Sequence, residues 1–241
     1  MNRRVLLWLA AAAALAVVVA YQTVGTSASR HSAEYAARAD VPTVLPGVDV
    51  LAGIPVVPVR LHRYDYLRAA FGDAWDDDND APLGHNGCDT RDDILNRDLV
   101  DKTYVSIKRC PDAVATGTLH DPYTNKTIAF ARGPKVGESV QIDHIVPLAY
   151  AWDMGAYGWP APERLRFAND PANLLAVDGP ANQDKGDSPP GQWMPPNGAF
   201  ACQYAMQFIA VLRGYALPVD AASTGVLRQA AASCPRRSRR L

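Results

Sequence analysis

The stretch "VQIDHIVPLAY", residues 140–150, sets Asp143 and His144 side by side at the end of an apolar, β-branched run that Pro147 then halts. Imidazole changes charge close to neutral pH and can take a proton from water. Further on, "ANQDKGD" places Lys185 three residues after Asn182, one turn away on the same face of a helix, where an ammonium can reach a phosphate. Arg91, in "GCDTRDD", carries a guanidinium that forks onto phosphate oxygens. A base for water and cations for an anionic group are the parts of a phosphate-ester hydrolase. The alternative is that Asp143 and His144 are chance polar neighbours at a strand end.

Neighbouring side chains on a strand point to opposite faces. Asp143 and His144 can therefore serve one site only if the chain bends there, and Pro147 is compatible with a bend. Asn173 opens a second apolar strand, "NLLAV", and the polar segment after Gly179–Pro180 reads as a short helix, giving strand, loop, strand, helix over about 136–190. The intervening "AWDMGAYGWPAPERLRF" reads as a helix covering this unit, with Trp152, Trp159 and Phe167 in the core.

Around that centre the elements are mixed. "RYDYLRAAFG" reads as a short helix ending at Gly72, and "TRDDILNRDLV" as a helix with Thr90 as N-cap and Ile94, Leu95 and Leu99 on one face. "TYVSIKR" and "KTIAFAR" alternate as strands on either side of the turn "HDPYTNK". Two helices follow, about 200–214 and 220–233. Helices and strands without regular alternation make the fold class α+β.

Of 241 residues, 48% are apolar and 20% charged, with a formal net charge of -1. That is a globular composition with no overall basic field, which argues against a purely electrostatic nucleic-acid binder but not against a local basic groove. The N-terminus has Arg3 and Arg4, an uncharged apolar stretch over 5–20, then small residues: a secretory signal peptide over 1–28, or an uncleaved anchor. Residues 29–58 read as an Ala/Pro-rich linker and 59–241 as the functional domain. In an exported chain Cys88, Cys110, Cys202 and Cys234 are expected to form two disulfides. Three pairings exist; the short loops Cys88–Cys110 and Cys202–Cys234 are favoured, each crosslink contributing roughly 3 kcal/mol.

The ordered words "GCDTR", "DPYT", "DHIVPL", "FANDPANL" and "NQDKGD" resemble a family of secreted HNH endonucleases, and the finger is similar to the HNH domain of CRISPR effector nucleases. The pattern there is D-H-I-x-P, N-x-L, N-x-x-K, and the likeness spans about 61–234. It implies a ββα-metal finger embedded in a small helical and β domain. It further implies His144 as general base, Asp143 and Asn182 as oxygen ligands of one Mg²⁺ or Mn²⁺, and Asn173 as the clamp holding the loop after the first strand. Lys185 and Arg91 would bind phosphate. Many HNH enzymes carry a second histidine where this chain has Asn182. The substrate implied is nucleic acid, DNA before RNA, with no obligate protein partner and a membrane only if the N-terminal segment stays attached. The alternative is an exported DNA-binding module whose finger is not catalytic.

Other constellations fail. "WDDDNDAPLGHNG" starts like a calcium loop, but Ala81 stands where Gly is needed and Gly87 where Glu is needed, so it reads as a solvated acidic turn. No GxSxG, HExxH or P-loop sequence is present. His31, His62, His85 and His120 have no partners at metal-ligand spacing. "PRRSRRL" at the C-terminus reads as a tail.

Overall fold

The computed structural model describes residues 42–45, 47–133 and 139–235. The signal segment 1–28, residues 29–41 (His31 among them) and 46 of the linker, and the tail beyond 235 lie outside the described residues.

The chain runs through β1 (Val56–Val57), a 3-10 turn (Arg68–Phe71), α1 (Thr90–Asp98), β2 (Val100–Ile107), β3 (Cys110–His120), β4 (Thr127–Ala131) and β5 (Val140–His144). It continues with α2 (Leu148–Asp153), α3 (Ala161–Asn169), β6 (Leu174–Asp178), α4 (Gly179–Lys185), α5 (Ala201–Gly214), β7 (Val219–Asp220) and α6 (Ala221–Ala232). The class is α+β, as expected. Both favoured disulfides are present, with Cα–Cα distances of 4.4 Å for Cys88–Cys110 and 5.0 Å for Cys202–Cys234.

The centre of the fold is the antiparallel pair β5–β6, with α4 following directly on β6. Period-2 alternation splits this hairpin between two cores. Val140, Ile142, Leu174 and Ala176 face a core shared with Ile94, Leu95 and Leu99 of α1 and with Val114, Leu119 and Phe130 of the sheet β2–β3–β4. Val177, and Leu175 at its margin, face the larger core with Tyr150, Phe167, Tyr204, Phe208 and Leu212 from α2, α3 and α5. Burial on both faces explains why both strands read as nearly unbroken apolar runs.

Several sequence expectations need correction. The acidic helix starts with Asp89, not Thr90, as N-cap: the Asp89 carboxylate accepts from the Asp92 N–H at 2.8 Å. Between the two strands read from sequence lies a third, β3, which is the centre of its sheet. Its small residues hid it; at Gly117 a Cβ would stand 2.9 Å from the Leu99 side chain just after α1, so a larger residue would have to push that side chain aside. The single covering helix is two, α2 and α3, separated at Gly155, whose φ of 127° ends the first. Trp152 and Phe167 are core residues and Trp159 packs against them. Among the described residues no helix is long and apolar enough to cross a membrane.

Candidate active site

Among the described residues β5 pairs with β6 on one edge only, in register from Val140↔Asp178 to His144↔Leu174. Its other edge opens on a cleft of about 590 Å³ whose lining includes Gln141, Asp143, His144, Asn182, Arg91 and Arg68. Consecutive side chains reach this cleft because they fan out from an unpaired edge. The bend expected at Asp143–His144 is therefore absent: the ladder runs straight through His144, and the chain turns only over 145–147.

His144 lies on the face of the smaller core, almost fully buried. Its Nε2 is 2.9 Å from the Ala168 carbonyl oxygen, and its ring stacks on Trp75 with centroids 5.6 Å apart and planes 12° from parallel. A carbonyl only accepts, so Nε2 bears the hydrogen and Nδ1 keeps its lone pair. Burial pulls the imidazole down to about 3, so it is neutral at physiological pH. Trp75 comes from the acidic turn. There the Asp77 carboxylate accepts from the Asn86 and Gly87 N–H groups at 3.0 Å each, and the Trp75 carbonyl accepts from Thr90 at 3.2 Å.

Asp143 occupies the opposite face and is equally buried. Lys185 donates to its Oδ1 at 2.8 Å and its Oδ2 at 2.6 Å, and to the His144 carbonyl at 2.7 Å. The Tyr123 hydroxyl donates to Oδ2 as well. All three ammonium hydrogens thus have acceptors. Burial pushes the Asp143 carboxyl up and the Lys185 ammonium down, and their mutual attraction pulls each back. Lys185 is on the expected helix, but its side chain folds inward to β5 and is fully enclosed. Its assignment to phosphate is therefore corrected: it is the buried counter-ion of Asp143.

Asn173 is fully buried and bridges the turn after β5. Its Oδ1 accepts from the Val146 N–H at 2.8 Å, its Nδ2 donates to the Val146 carbonyl at 3.2 Å, and its own carbonyl accepts from Ile145 at 2.8 Å. Asn182 donates through Nδ2 to Gln141 Oε1 at 2.9 Å, which leaves its amide oxygen without a donor among the described residues. Arg91 lies in the cleft wall and donates to the Val140 carbonyl at 3.1 Å. It has no ion-pair partner among the described residues, and burial pulls its guanidinium below the usual range while nearby Asp89 and Asp92 oppose this. Among the described residues Arg91 and Arg68 thus present cleft cations that have no ion-pair partner. Among the described residues no group of three His, Cys, Asp or Glu side chains could hold an ion.

Sequence reasoning missed Arg68, Trp75, Tyr123 and Gln141. Tyr123 stood in the quoted "DPYT"; Trp75 opened the stretch read as an acidic turn.

Residues 89–229 match the family described as GmrSD restriction endonucleases, C-terminal domain. The chain is also similar to an uncharacterized secreted protein of Arthroderma benhamiae, 37% identical over 150 residues, covering 61% of this chain and 68% of that protein. No solved structure matches significantly.

Proposed function

The chain belongs to the family of GmrSD restriction endonuclease C-terminal domains, and from that premise we propose that it is a secreted, metal-dependent endonuclease of the HNH type. Its substrate is nucleic acid, DNA by preference. Export is supported by the N-terminal signal pattern and by the similarity to a fungal protein named as secreted. One observation carries the catalytic reading. A neutral imidazole, anchored through Nε2 and keeping a lone pair on Nδ1, shares a cleft with a carboxylate, an amide oxygen and two unpaired arginines.

The chemistry follows from that arrangement. Nδ1 of His144 takes a proton from water as the oxygen attacks phosphorus, and the 3′ or 5′ oxygen leaves with the electron pair of the broken P–O bond, to be protonated by solvent. A buried imidazole near 3 is a weak base in the empty cleft, but a phosphodiester anion beside it favours the imidazolium and raises it. The oxygen donors Asp143 Oδ1 and Asn182 Oδ1 suit Mg²⁺ or Mn²⁺. Such a cation, when bound, supplies positive charge to the phosphate and the leaving oxygen. Lys185 already neutralises Asp143, so Asp143 and Asn182 would hold such a cation weakly without a substrate phosphate. Arg91 orients the phosphate, and Asn173 holds the turn that fixes His144.

The test is nicking of supercoiled plasmid by purified protein in Mg²⁺ or Mn²⁺. Cleavage should vanish in EDTA and in His144→Ala; persistence in either removes the assignment. Retardation of DNA without nicking in any divalent metal would favour the non-catalytic binding module.

A further inference from the structure

Beyond the cleft lies a second cavity of about 210 Å³, lined by Phe71, Trp75, Ala74, Asp73, Arg68 and His144 among others. It shares Arg68, Trp75, His144 and Leu148 with the cleft, so the stacked His144–Trp75 pair is a wall common to both. A ligand there sits one wall away from any phosphate presented to Nδ1. Its floor is apolar and aromatic: Phe71 is 1% exposed and belongs to the larger core. Besides His144, its polar side chains are Arg68 and Asp73, both exposed and both without a hydrogen-bond or ion-pair partner among the described residues. Apolar walls with a few convergent polar groups are the mark of a small-ligand site.

Size and chemistry select the occupant. An apolar cavity of roughly 150 Å³ accepts a benzene ring, so this one accommodates a substituted six-membered heterocycle. A carboxylate at the rim accepts from an exocyclic amino group, as acidic side chains do from cytosine N4. The neighbouring guanidinium suits the phosphate that accompanies such a base. A base paired within a duplex cannot enter, because its ring is held in the stack.

We propose that this cavity is a subsite for one unpaired nucleobase of the substrate strand, adjacent to the scissile phosphate, and that the protein selects single-stranded or locally unpaired nucleic acid. The proposal rests on the nuclease reading. It predicts that alanine-sized space at position 74 matters: Ala74→Phe fills the cavity from its exposed rim.

Cleavage of one labelled oligonucleotide is compared as a single strand, as a duplex, and as single strands carrying an abasic site at each position around the cut. Binding of the intact and abasic strands by the wild-type protein in EDTA is followed by fluorescence anisotropy. Base–aromatic stacking predicts about a tenfold preference for single strand over duplex, and a similar loss when the abasic site flanks the cut on one side only. In Ala74→Phe, intact and abasic strands should be cut and bound alike. Duplex cut as fast as single strand, or abasic strands bound and cut like intact ones, overturns the subsite. Hydrolysis of the base-free diester methyl p-nitrophenyl phosphate separates the two readings. If that diester and every oligonucleotide stay intact, the nuclease reading fails, while a tenfold binding preference for the intact strand would still support the subsite.

Discussion

Lys185→Met leaves the Asp143 carboxylate buried without its cation. In the native protein that carboxylate accepts two bonds from Lys185, at 2.8 and 2.6 Å, inside a site closed to solvent. Removing one partner of such a pair costs about 3–5 kcal/mol, because the remaining charge is stranded. For a unit of this size each kcal/mol lowers Tm by about 2–4 °C, so the fall should be about 6–20 °C. The assay is urea and thermal unfolding in EDTA with the disulfides intact. The loss should depend on pH in a defined direction. Burial already holds the Asp143 carboxyl above the ordinary carboxylate range, and the variant lacks the cation that pulls it back. A raised folded-state pKa gives stability that is full below the unfolded value and lost as pH rises through the folded one. The variant's deficit should therefore be largest at pH 8 and smallest near pH 4. Asp143→Asn with Lys185→Met should recover most of the loss, since no lone charge stays buried. Lys185→Met within about 1 kcal/mol of wild type at pH 8, but weakened in nucleic-acid binding, would refute this reasoning and return Lys185 to a phosphate role.

His144 should make the protein acid-sensitive. Its folded-state value of about 3 lies below the ordinary imidazole value of 6.5, so stability is full above 6.5 and lost as pH falls, by about 2 kcal/mol between pH 8 and pH 5. The difference between wild-type and His144→Ala unfolding free energies across that range isolates the contribution, and parallel curves would contradict it. Asn173→Ala strands the N–H and C=O of Val146 and should cost about 2–3 kcal/mol by urea unfolding. It should also lower kcat more than it raises KM, because His144 loses its fixed turn. Arg91→Ala should raise KM for oligonucleotides, leave stability within about 1 kcal/mol, and flatten the salt dependence of binding by about one phosphate contact; unchanged salt dependence would place Arg91 outside the substrate path.

What the sequence made legible was local. The apolar runs of β5 and β6, the polar turn of α4 and the two C-terminal helices follow from periodicity and from Gly and Pro punctuation. The disulfides follow from loop length. What it left hidden depends on partners far along the chain. The spacing of Lys185 from Asn182 places both on one helical face, yet it does not say that β5 packs there and captures the ammonium. Alternation correctly sent Asp143 and His144 to opposite faces; the inference of a bend failed because β5 has a free edge, a property of sheet topology. β3 was missed because Gly117 and its small neighbours are chosen for contact with α1 and leave no alternating pattern. Trp75 lay in an acidic segment whose role is to close a turn and lay an indole against His144. Tyr123, 20 residues before Asp143, gives no sign in its own segment that its hydroxyl ends on that carboxylate.

The central claim is that His144 and a divalent cation held between Asp143 and Asn182 act on one phosphate. Anomalous diffraction from crystals of His144→Ala with Mn²⁺ and a single-stranded oligonucleotide tests it directly. One manganese ion should be bonded to Asp143 Oδ1, Asn182 Oδ1 and a phosphate oxygen, with that phosphate facing the vacated imidazole position. Manganese bound away from both side chains, or a phosphate seated on Lys185, would contradict it.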